Sequence, residues 1–142
     1  MHIDPEEMLL QGSEILMPLF TGHGFVFAPL SQGSSSGGRF ASAEFKRDDR
    51  RFEFHFRYRL GMVNYHLGSE SISHQEYMCS VLGKPNLSRY PGFSNDPLDG
   101  FRDLRNDQED YCAEFLKGTD EEFLRRIADA RLRWAALPKL PI

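Results

Sequence analysis

Cysteine is scarce and unpatterned: Cys79 and Cys112 are the only two in 142 residues. Their spacing fits neither a CxxC pair nor a dense disulfide framework, which argues against a zinc knuckle and a small oxidised scaffold. A reducing, cytoplasmic setting is expected, with both thiols packed as small apolar groups. Long apolar runs are absent as well. No stretch approaches 18 uninterrupted apolar residues, and no basic segment followed by a short apolar run opens the chain, so neither a membrane span nor a secretory signal is read. Positive charge is in short supply, 17 Lys and Arg against 21 Asp and Glu for a net charge of −4. That balance disfavours nucleic acid as principal partner, because such binding rests on neutralising phosphates. Missing too are GxSxG, HExxH, GxxxxGK[ST] and the EF-hand spacing, and with them the commonest short signatures of hydrolases, nucleotide sites and calcium sites.

What is present centres on Arg51 to Leu60, RFEFHFRYRL, where apolar and polar residues alternate without a break. Successive strand side chains point to opposite faces, so Phe52, Phe54, Phe56, Tyr58 and Leu60 line one side and Arg51, Glu53, His55, Arg57 and Arg59 the other. The pattern predicts a half-buried antiparallel strand. Burying its three Phe side chains contributes about 1.5–3 kcal/mol each before entropy is counted.

Upstream, Asp4, Pro5, Glu6 and Glu7 combine a side-chain cap, a proline at the first helical position and two acids at the positive helix end. They predict a helix from about Pro5 to Met17, stopped by Pro18. Phe25 to Phe27 reads as a short first strand ended by Pro29. The run SQGSSSGG is too polar and Gly-rich to pack and reads as a flexible loop over about 31–38. Ala41, Ala43 and Phe45 alternate with Ser42, Glu44 and Lys46, and a turn at Asp48 and Asp49 pairs Phe45 with Phe52, Ala43 with Phe54 and Ser42 with His55. For the next hairpin, a register symmetric about Leu60 and Gly61 puts Tyr58 opposite Val63, Phe56 opposite Tyr65 and His55 opposite His66. A three-residue loop with Gly61 in a bulge would set Phe56 opposite Asn64, so the apolar pattern favours the first register.

Helical spacing returns after Gly68. Ser73 and Glu76 form a capping box, with Gly83 as the stop. The segment from Lys84 to Asn95 reads as an irregular loop whose YPGFS run is pinned onto the core. Asp96 and Pro97 start a second helix running to Leu116 and closed by Gly118. Thr119 and Glu122 repeat the capping box before a last helix with Phe123, Ile127, Ala130, Trp134 and Leu137 on one stripe, and the tail from Lys139 is loosely held. The fold class is α+β, a single domain over residues 1–142: an N-terminal helix, an antiparallel meander of three or four strands, and three C-terminal helices packed on one sheet face.

The opposite, polar face gathers the candidate functional residues. Glu53, His55, Arg57, Arg59, Asn64 and His66 offer a protein partner a charged surface, the arginines being suited to carboxylate or phosphate. In the chosen register His55 and His66 are cross-strand neighbours with β-carbons about 5 Å apart, near enough to share a Zn²⁺ ion, with Glu53 or His74 as a third ligand. Charge is unevenly spread. Arg39 to Arg59 holds seven bases and four acids, and Asp96 to Glu122 ten acids and three bases. Such blocks are solvated surfaces that attract one another, or docking sites for a partner. Three readings follow: a non-enzymatic protein-binding module without cofactor, a His-based metal-dependent hydrolase, and a structural homodimer through an exposed sheet edge.

The order of helix, GHGFVF segment (Gly22 to Phe27), meander and closing helices resembles small uncharacterised bacterial α+β domains, some of them immunity proteins of polymorphic toxin systems. The resemblance covers most of the chain in outline. It implies a cytoplasmic protein that binds and blocks a toxin through a charged surface and catalyses nothing, and it assigns no residue a role.

Overall fold

The computed structural model describes residues 4–35, 38–83 and 95–137. Helix α1 (Pro5–Gly22) leads into strands β1 (Val26–Ser35), β2 (Gly38–Arg47), β3 (Arg50–Phe56), β4 (Leu60–Leu67) and β5 (Glu70–Ser73), followed by helices α2 (His74–Leu82), α3 (Asp99–Tyr111), α4 (Ala113–Lys117) and α5 (Asp120–Ala135). The strands form one antiparallel sheet in sequence order. The expected α+β class therefore holds, with five strands in place of three or four and a split among the closing helices. No described helix is long and apolar enough to cross a membrane.

Alternation along β3 does what its pattern predicts: Phe52, Phe54 and Phe56 are buried on the apolar face, while Glu53 and His55 lie on the other. Helices cover that apolar face with rings. Phe20 of α1 stacks on Phe45 at 4.6 Å, Phe101 of α3 meets Phe54 and Phe56 at 6.1 and 6.0 Å, and Phe115 of α4 meets Phe52 and Tyr65 at 6.4 and 4.9 Å. Phe101 comes so close to α1 that a Cβ on Gly12 would stand 2.3 Å from its ring, so only glycine admits this helix contact.

Helix α1 runs through Pro18 to Gly22, past the expected stop. The proline removes one backbone hydrogen bond, at a cost of about 3 kcal/mol in a helix interior. Continuing the helix places Phe20 against Phe25, Phe45 and Phe52 with no exposure, and burial plus three ring contacts offsets a cost of that size. The expected loop over 31–38 is also corrected. Ser31 to Ser35 continues β1 and pairs with β2 from Gly38 onward. Its side chains up to Ser34 are exposed, so backbone pairing and not packing makes it a strand.

The β2–β3 hairpin has the expected register: Phe45 faces Phe52, Ala43 faces Phe54 and Ser42 faces His55. The β3–β4 register differs. His66 faces Arg51, four residues before His55, while Tyr65 faces Phe52, Val63 faces Phe54 and Leu60 faces Phe56. Apolar still meets apolar: as far as Val63 the slip is four residues, an even number that leaves every side chain on its own face, and the irregularity between Phe54 and Phe56 adds one more and brings Leu60 to Phe56. Strand β3 thus ends at Phe56, and Arg57, Tyr58 and Arg59 form a three-residue connection in which Tyr58, expected in the core, is 64% exposed.

Both capping boxes form as read, Ser73 with Glu76 and Thr119 with Glu122, and Gly83 ends α2 at φ +76°. The second expected helix starts later and breaks. The Asp96 carboxylate accepts the Leu98 N–H at 2.9 Å ahead of α3, and Cys112, at φ −107° and ψ 28°, separates α3 from α4. On α5, Phe123, Ile127 and Ala130 are buried but Trp134 is 39% exposed. The YPGFS run and the tail from Lys139 lie outside the described residues.

Two arginines of the basic run serve the fold. Arg50, only 4% exposed, donates through Nη1 to the carbonyls of Glu114 and Phe115 (3.1 and 2.7 Å) and through Nη2 to Gly118 O and Asp120 Oδ1 (2.6 and 2.9 Å). Arg47 Nη1 donates to His23 O and Leu116 O at 2.6 and 2.7 Å, with its guanidinium 4.5 Å from the Phe25 ring centre. Terminal helix carbonyls lack intrahelical donors, and these side chains supply them. The attraction between basic sheet and acidic helices is thus partly an attraction of arginine for helix ends.

Candidate functional site

On the polar face the alternation of β3 and β4 brings Glu53, His55 and His66 together. His55 Nε2 donates to Glu53 Oε2 and His66 Nε2 to Glu53 Oε1, each at 2.7 Å. The histidines are therefore linked through one carboxylate and not through direct pairing across the strands. Burial by itself would raise the Glu53 pKa, but the hydrogen bonds from His55 and His66 outweigh it and hold the carboxyl below the ordinary glutamate value. Such a carboxylate is a weak general base. Beside it, the buried Glu44 accepts from Arg51 Nη1 at 3.0 Å, and Asn64 sits half-buried between Glu53 on β3 and Ser73 on β5.

Arg57 and Arg59 stand at one end of this face, in the β3–β4 connection. They line a groove of about 510 Å³ together with Phe40, His55, Tyr58 and Met62. The Arg57 guanidinium lies 5.7 Å from the centre of the Phe40 ring, close enough for a cation–π contact. Of the expected partner-binding residues, His55, Arg57 and Arg59 thus share the groove, while Glu53, Asn64 and His66 occupy the sheet beyond it. Comparison with family models, with curated proteins and with solved structures gives no match. The site must be read from its own chemistry.

His74, considered as a third metal ligand, is on the wrong side of the sheet. It is buried with Tyr65 and Asp107: its Nε2 donates to Asp107 Oδ2 at 3.0 Å and its Nδ1 lies 2.7 Å from the Tyr65 hydroxyl. A carboxylate only accepts, so in the neutral ring Nδ1 is the acceptor and Tyr65 the donor. The same hydroxyl accepts from Gln108 Nε2 at 2.5 Å and lies 3.6 Å from Cys112 Sγ. Burial pushes the Tyr65 hydroxyl and the Cys112 thiol well up, so both stay protonated and the sulfur is no nucleophile. This network ties β4, α2 and α3 together. Among the described residues, no group of three or more His, Cys, Asp or Glu side chains is arranged to hold a metal ion.

Sequence reasoning passed over Phe40 and Met62. The signal for Phe40 was available, since it shares strand parity with Ser42 and Glu44 and is a lone aromatic on the polar side. Met62 depends on the irregularity between Phe54 and Phe56, which alternation does not reveal.

Proposed function

We propose that the protein is a non-enzymatic binding module that holds a protein partner on the polar face of its sheet. The observation that supports this reading is the pairing of a pre-organised His55–Glu53–His66 cluster with a basic, partly apolar groove at its edge. Interfaces favour Arg, Tyr and Met in their centres, and all three residue types line that groove. The cluster holds no nucleophilic side chain and Glu53, held ionised, is a weak base, while on the other side of the sheet Cys112 is buried and protonated. Taken with the resemblance to immunity proteins, the partner is a toxin domain blocked in a reducing cytoplasm, where Cys79 and Cys112, both buried and free, remain thiols. The test is titration calorimetry against a captured partner. Arg57→Glu should weaken binding through charge reversal, and Asn64→Trp should weaken it by filling the middle of the face, each with stability changed by no more than about 1 kcal/mol. Unchanged affinity in both variants rejects this face.

A second reading, a His-based metal-dependent hydrolase, draws on the same cluster. Two imidazoles and a carboxylate are among the donor sets that Zn²⁺ takes, but in the present arrangement both Nε2 atoms are committed to Glu53 and the three side chains do not surround a common point, so metal binding requires the rings to turn and the Nε2 protons to move to Nδ1.

A further inference from the structure

Building on the binding-module reading, we infer that the groove at the β3–β4 end takes an acidic segment of the partner protein with an apolar anchor, an aromatic or aliphatic side chain flanked by Asp or Glu. The charge is the first reason. Arg57 and Arg59 line the groove and none of its described lining residues is acidic, although the chain as a whole carries −4. A locally basic cleft in an acidic protein favours an anionic occupant and repels a basic one. Arg59 is exposed, with no carboxylate in ion-pair reach among the described residues.

Apolar surface is the second reason. Tyr58 and Met62 are 64% and 60% exposed and both line the groove with Phe40, unlike apolar residues scattered singly over a surface. The site is also built. Gly38 has φ +108°, and a Cβ there would stand 2.5 Å from the Tyr58 hydroxyl, so this glycine lets Tyr58 lie against the β1–β2 hairpin. Arg57 is held over Phe40, two residues along the same strand from Gly38. At about 510 Å³ the groove falls within the size range of ligand sites and suits one or two side chains of a docked segment. Arginine and aromatic side chains also stack nucleic-acid bases, but the net negative charge opposes a phosphate backbone.

The experiment uses the ¹⁵N-labelled full chain and four probes: a blocked peptide alternating Glu with Phe and Leu, the same peptide with Lys for Glu, the same with Ser for Phe and Leu, and an oligouridylate. The first peptide should shift the amides of Phe40, Tyr58, Arg59, Gly61 and Met62 and bind at least about tenfold tighter than the other three probes. Met62→Glu should remove the response with an unchanged melting curve, and Met62→Leu should keep it. Shifts centred elsewhere, no shifts, equal affinity for the three peptides, or tighter binding of oligouridylate each overturn the inference. The two readings fail separately. If Met62→Glu leaves the captured partner's affinity intact while Asn64→Trp weakens it, the groove falls and the face stands; if neither matters, both fall.

Discussion

Replacing Tyr65 by Phe deletes one oxygen at the centre of the molecule and leaves the ring in place. The contacts of that ring with Phe52 and Phe115, at 5.2 and 4.9 Å between centroids, persist, so the loss is almost purely polar. The hydroxyl partners His74 Nδ1 at 2.7 Å and Gln108 Nε2 at 2.5 Å, both fully or nearly fully buried. Among the described residues Gln108 Oε1 already has no hydrogen-bond partner, so losing its Nε2 bond strips the side chain further. A buried donor or acceptor left without its partner costs about 1–3 kcal/mol, and two such groups give an expected loss of about 2–4 kcal/mol after partial relaxation. Tyr77→Phe is the internal reference. Among the described residues its hydroxyl accepts one long bond, from the Phe115 N–H at 3.3 Å, so the expected loss is about 0.5–1.5 kcal/mol. Urea denaturation reads both variants as a lower midpoint at unchanged slope. A Tyr65→Phe protein no less stable than Tyr77→Phe would refute the claim that this network holds β4, α2 and α3 together.

Phe54→Ala, emptying a fully buried site between Phe45, Phe52 and Phe101, should cost about 3–5 kcal/mol by chemical denaturation, and a loss under about 1 kcal/mol would remove β3 from the centre of the core. Glu53 has a folded pKa below its unfolded value of about 4.3, so its contribution is present above that pH and lost as pH falls through the folded value. Acidification in that range should therefore destabilise the wild type more steeply than Glu53→Gln, and parallel pH profiles would contradict the hydrogen bonds from His55 and His66. Saturating Zn²⁺ should raise the melting temperature if the cluster binds metal, with the shift lost in His66→Ala and little change in apo stability; an unmoved melting curve ends the metal reading.

What the sequence determined by itself was local. Capping chemistry acts within one helical turn, and Ser73 with Glu76 and Thr119 with Glu122 start α2 and α5 where they were read. The alternation of β3 set which side chains enter the core, and the Asp48–Asp49 turn set the β2–β3 register, because a tight turn leaves no freedom to slip. Tertiary structure decided the rest. A period-two pattern is unchanged by an even slip, so only packing placed His66 opposite Arg51 and moved Tyr58 and Arg57 out of the strand and into the groove. Pro18 was overridden because the cost of one lost hydrogen bond is smaller than the burial it permits at Phe20. Arg47 and Arg50 look like their neighbours Lys46 and Arg51 in sequence, yet they are committed to helix-end carbonyls. His74 likewise turned inward to Asp107, 33 positions along the chain. Such assignments depend on which distant groups the fold brings within hydrogen-bond range, and no local pattern of residues encodes that distance.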